Sequence, residues 1–183
     1  MAIFSKDFKM TKIESRVVIV TLLVIGLLSF FNLRNAEVLA RDIQRKNDLK
    51  HVATALGEFF KKYGEYPQAL DGKMVACGIP PDLKPCRWAA DKIEGIMDLI
   101  PQDPLASSKE YSYLYFSNSR EFQLFAHLER KQDEEYNESV AQRKLNCGKV
   151  ECNFGVVNGN IPLDRELSVF KVNEATKSSL LNE

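Results

Sequence analysis

The residues best suited to covalent chemistry in this 183-residue chain are its four cysteines, Cys77, Cys86, Cys147 and Cys152. Cysteine sulfur either ligates zinc or pairs as disulfide, and spacing helps to separate the two. Zinc knuckles set two cysteines two residues apart. Here eight residues separate the first pair and four the second. Two disulfides are therefore expected. Four cysteines allow three pairings, and joining sequence neighbours gives Cys77–Cys86 and Cys147–Cys152. Disulfides imply an oxidising compartment for this part of the chain.

Other reactive groups are sparse. His51 falls off the apolar stripe of a helical stretch and His127 falls in a strand pattern, so both read as structural or surface residues. No Ser-His-Asp order, glycine-rich phosphate loop or paired-histidine spacing is present. A non-enzymatic chain without cofactor, metal or small-molecule substrate is expected. Basic and acidic residues balance at 25 each, which leaves no cationic surplus for nucleic acid. The carboxylate with the most telling position is Glu14, at the edge of a long apolar run and flanked by Lys12 and Arg16.

Glu14 opens the stretch that must position everything else. Val17–Leu33 carries no charge, and its only polar side chains are Thr21, Ser29 and Asn32. These seventeen residues rise roughly 25 Å as a helix, enough for a short membrane span. Arg16 and Arg34 bound the run and can snorkel to headgroups. Beyond Arg34, apolar residues fall at Leu39, Ile43, Leu49, Val52, Ala53, Leu56, Phe60 and Tyr63, in steps of three and four or their sums. Lys46 interrupts that stripe. No proline occurs between Met10 and Tyr63, so one helix is predicted from about Lys12 to Tyr63, closed by Gly64 and Pro67. The net-positive start at residues 1–16 favours that end on the cytoplasmic side. A cleaved signal peptide ending at Val38-Leu39-Ala40 is the rival reading. Against it stand Arg34, Glu37 and the continuing stripe.

Met10-Thr11-Lys12-Ile13-Glu14 leading straight into an apolar helix, and Phe59-Phe60-Lys61-Lys62-Tyr63-Gly64-Glu65-Tyr66-Pro67 closing it, resemble the type IV pilin and type II secretion pseudopilin superfamily. The resemblance is specific over the first third of the chain and covers the remainder in outline. It implies an α+β fold, a long helix packed on a small antiparallel sheet. It further implies a structural subunit, anchored by one span in a bacterial inner membrane, that self-associates or joins other pilin-like subunits in a pilus-like or pseudopilus filament. In that family a leader is cut after a Gly, and the freed amine pairs with the Glu of a neighbouring subunit. The corresponding cut here lies at Lys9–Met10, and the assembly residues are Met10 and Glu14. Lys9 stands in place of Gly, Met10 in place of Phe, and Lys12 in place of an apolar residue. A non-polymerising anchored module of the same fold is the alternative, and a secreted enzyme or inhibitor is a third class. Some pseudopilins bind calcium. Asp103, Asp164 and the turn at Asn158–Asn160 offer oxygens, but in a pattern that reads as a solvated turn.

The chain divides into a basic leader at 1–16, the span at 17–33, an amphipathic spine at 34–67, a globular domain at 68–172 and a flexible tail at 173–183. Within the globular part, residues 68–88 read as irregular and Ala89–Ile100 as a short amphipathic helix ended by Pro101. Pro101-Gln102-Asp103-Pro104 is a rigid connection. Glu110–Ser117 and Glu121–Glu129 form a predicted hairpin, with Phe122, Leu124, Ala126 and Leu128 on the face toward the helix. Arg130–Lys144 reads as an exposed loop or poorly packed helix, Asn153–Val157 as a third strand and Leu163–Val172 as a fourth.

Overall fold

The computed structural model describes residues 11–159 and 161–167. One helix, α1 (Lys12–Tyr63), is followed by β1 (Gln68–Leu70), β2 (Lys73–Cys77), β3 (Lys84–Pro85), α2 (Ala106–Lys109), β4 (Leu114–Ser117), β5 (Phe122–Ala126), α3 (Glu138–Gln142) and β6 (Phe154–Val157). The class is α+β, with two antiparallel three-stranded sheets ordered β1-β2-β3 and β4-β5-β6. The chain divides into two compact units, with the boundary in sequence between Ala40 and Arg41.

The helix begins and ends where predicted. Gly64, at φ 81°, donates its N–H to the Phe60 carbonyl at 2.7 Å, a left-handed residue closing the last turn. Its buried face differs from the expected one. The buried residues are Asp42, Arg45, Leu49, Val52, Ala55, Leu56 and Phe59, while Leu39, Ile43, Phe60 and Tyr63 are exposed. The series 42, 45, 49, 52, 56, 59 steps by three and four throughout, so the inward stripe continues through two charged residues rather than through Leu39 and Ile43.

The hairpin of β4 and β5 pairs Tyr115 with Leu124 on the face toward α1 and Leu114 with Phe125 on the other. Phe122, Leu124 and Ala126 join Leu49, Val52, Leu56 and Phe59 in the main core. Each of the larger of these side chains contributes about 1.5–3 kcal/mol before conformational entropy is counted. Both strands are shorter than predicted; β4 starts late because Glu110 adopts φ 56° and Tyr111 makes only an isolated bridge to Gly148. The opposite face is also covered. Phe125 packs with Val140, Cys147 and Cys152 in a second small core. Arg130–Lys144 is therefore neither wholly exposed nor poorly packed: α3 is capped by the Asn137 side chain and buries Val140.

Three other regions differ from expectation. Residues 68–88 hold the first sheet, whose β1–β2 loop is Asp71-Gly72, both with positive φ, as a two-residue type I′ hairpin requires. Ala89–Ile100 is a closed loop instead of a helix. Ala89 at φ 54° and Gly95 at φ 68° break helical geometry, Ala89 N–H donates to the Ile100 carbonyl at 2.8 Å, and Ile93 bridges Met97. Ile93 and Ile100 still reach the core. Residues 163–167 form no strand; the remainder of the expected fourth strand, 168–172, and the tail at 173–183 lie outside the described residues.

Candidate anchoring and assembly surface

The first part of α1 is an exposed surface that no other element covers among the described residues. Every residue from Val17 to Leu33 is exposed, and the mean hydropathy of its best 18-residue window is 2.2. A helix satisfies its own backbone hydrogen bonds, so such a segment can enter hydrocarbon without unpaired N–H or C=O groups. Thr21 also meets its need locally, donating its hydroxyl to the Val17 carbonyl at 2.9 Å. At the far border the Arg34 guanidinium lies 5.3 Å from the Phe30 ring centroid.

Glu14 starts the helix. Its carboxylate accepts the Thr11 N–H at 2.8 Å, and the Thr11 hydroxyl accepts the Glu14 N–H at 3.3 Å. This reciprocal capping box satisfies two donors that helix geometry leaves open. Thr and Glu three residues apart before an apolar run is its sequence signature, legible without coordinates. Lys9 and Met10, the expected cleavage pair, lie outside the described residues.

The second unit is locked by a charge cluster that the sequence reading did not assemble. Arg45 is fully buried yet meets three carboxylates: Asp103 through Nε at 2.7 Å and Nη2 at 3.1 Å, Asp42 at 2.8 Å and Glu129 at 2.9 Å. Arg41 holds Glu129 through two further bonds at 2.7 and 2.9 Å. Asp42 in turn accepts the backbone N–H groups of Glu129 and Arg130. Burial acts to lower the basicity of Arg45, but the hydrogen bonds to Asp103, Glu129 and Asp42 outweigh it and the net direction is upward. Burial likewise acts to raise Glu129, and the bonds from Arg41 and Arg45 bring it down to about 2. The cluster joins α1, the Pro101–Pro104 connection and the exit of β5. Asp103, a candidate calcium ligand by sequence, is instead committed to Arg45. Lys46, read as an interruption, pairs with Asp133 at 3.0 Å and Glu135 at 3.1 Å and draws the acidic loop onto the helix.

Both cysteine pairs form disulfides, Cys77–Cys86 and Cys147–Cys152, between sequence neighbours. They lie far apart in role: the first closes the loop between β2 and β3, the second lines the small core behind β5. His51 is exposed on α1. His127 has Nδ1 2.6 Å from the Glu151 carbonyl and its ring edge against Tyr111, a structural setting. Among the described residues no group of three His, Cys, Asp or Glu side chains could hold a metal. Asn158 donates to the Tyr66 hydroxyl, Asp164 is exposed, and Asn160 lies outside the described residues. No protein-family model matches the sequence, and no curated protein or solved structure matches it either.

Proposed function

We propose that this chain is a non-enzymatic structural subunit of a type IV pilus-like or type II secretion pseudopilus filament. The first part of α1 anchors it in a bacterial inner membrane with residues 1–16 cytoplasmic. The disulfide-bonded unit then sits in the periplasm or outside the cell. The observation that supports this reading best is the continuity of α1. One uninterrupted helical element supplies an uncharged, exposed span and then the spine of an α+β unit with two disulfides. Copies would associate through the span with each other or with other pilin-like chains. Single cysteines placed along Val17–Leu33 test this, since a filament yields a ladder of crosslinked multimers.

The capping box favours a second reading, a single-span anchored module that never polymerises. Glu14 already has an intrachain partner in Thr11, and Lys9 precedes Met10 where the family's leader ends in Gly. In this reading the leader stays on, Glu14 serves only the helix start, and the outside unit acts as an accessory or binding domain.

A further inference from the structure

We propose that the unit beginning at Arg41 carries a binding site for a small monocarboxylate with an apolar body, in the cavity beside Arg143. The cavity measures about 260 Å³ and is lined by Ala69, Phe116, Leu145 and Leu167, with Ser117, Gln123 and Arg143 supplying polar atoms and Glu166 also on its wall. It opens on the side of β4 and β5 that faces away from α1.

Arg143 differs from Arg41 and Arg45 on α1. Arg41 and Arg45 each meet carboxylates directly. Arg143 is half-buried, its Cζ lies 5.1 Å from the Phe125 ring centroid, and Nη1 donates to the Leu163 carbonyl at 2.7 Å and to Gln123 Oε1 at 3.2 Å. Among the described residues it forms no ion pair, and Nε and Nη2 have no hydrogen-bond partner. A partly desolvated guanidinium with no directly paired carboxylate among the described residues is unfavourable, and a planar fork of N–H donors matches a carboxylate. Gln123 is fully buried but satisfied, with Nε2 bound to the Arg165 carbonyl at 2.8 Å, so it holds the wall and leaves the anion to Arg143. Burial lowers the basicity of Arg143, and the more distant Glu166 and Asp164 offset only part of that effect. An incoming carboxylate would complete the pairing while Phe116, Leu145 and Leu167 take up its apolar body.

The test uses the full chain in phosphatidylcholine nanodiscs, with 3-phenylpropionate as the probe and its neutral amide as the control, followed by titration calorimetry. Saturable binding of the acid is expected, with the amide at least tenfold weaker. Arg143→Gln should weaken the acid at least tenfold, Leu145→Trp should abolish binding by filling the cavity with Arg143 kept, and Glu166→Gln should tighten it. Near-UV circular dichroism checks that each variant is folded. The acid–amide comparison uses the unaltered protein and stands even if Arg143→Gln does not fold. No saturable binding, equal affinity for acid and amide, or a folded Arg143→Gln that binds as before would overturn the proposal. So would binding that appears only after removal of residues 168–183, which would assign the cavity to this chain's own tail.

Discussion

Arg45 and Asp103, 58 residues apart in sequence, face each other through two parallel hydrogen bonds with both side chains withdrawn from water. This pairing fixes the Pro101–Pro104 connection to α1. Replacing Arg45 with Met would leave Asp42, Asp103 and Glu129 together without their shared cation. Breaking such a buried cluster costs about 3–5 kcal/mol. Denaturant unfolding of Arg45→Met should show a loss of that size, with Arg45→Lys losing part of it because an ammonium cannot reproduce the two-pronged contact.

The same cluster sets a pH dependence. Glu129 is held at about 2, below the ordinary glutamate value of about 4.3. A carboxylate whose folded value is depressed stabilises fully above its unfolded value and loses that contribution as pH falls through the folded one. Stability should therefore decline between roughly pH 4.5 and 2, and Glu129→Gln should flatten this part of the profile. Asp133 and Glu135 are also lowered: burial opposes the shift, but hydrogen bonds from Lys46 prevail, joined by the Glu135 N–H at Asp133 and by Lys50 at Glu135. They add to the decline in the same direction.

Gly148 offers a backbone test. At φ 79° it lies against the chain at Glu110, and a Cβ there would collide with the Glu110 carbonyl oxygen. Gly148→Ala should disturb the Tyr111–Gly148 bridge and cost at least about 1 kcal/mol, measured by thermal unfolding. Gly57→Ala, which meets nothing in this structure, should be neutral or stabilising.

The disulfides make a further prediction. Mass spectrometry of non-reduced protein should find Cys77 joined to Cys86 and Cys147 to Cys152, with no free thiol. Closing loops this short contributes about 2–3 kcal/mol each on the chain-entropy account. Cys147→Ser with Cys152→Ser should expose the small core around Phe125 and Val140, read out as faster amide exchange in α3.

How much of this was legible follows from which signals were local. The bounds of α1 were, because the absence of proline and the Gly64-Glu65-Tyr66-Pro67 stop are sequence facts. The hairpin at Ser117–Arg120 was too: Asn118 Oδ1 accepts the N–H groups of Arg120 and Glu121, as a polar turn residue does. Arg45 was not, because a charged residue on a buried stripe is justified only by carboxylates brought from 103 and 129. Its phase with Asp42, Leu49 and Val52 was nevertheless visible. Asp71-Gly72 is a local hairpin signal, masked in the sequence by the neighbouring prolines and glycines. The loop at 89–100 was not readable from periodicity, since its apolar spacing suits a helix and only Ala89 and Gly95 in left-handed conformations exclude one. The cavity beside Arg143 draws residues from 69 to 167, a grouping that only the tertiary fold creates.

Assembly through the span is the central claim, and crosslinking tests it most directly. Single cysteines at successive positions along Val17–Leu33, in membranes of cells making the full chain, should yield a ladder of multimers with helical periodicity. If the leader is removed, Glu14→Ala should abolish the ladder while the outside unit keeps its disulfides and its unfolding midpoint. Monomers alone at every position, with the protein folded and membrane-bound, would contradict the filament and leave the anchored module.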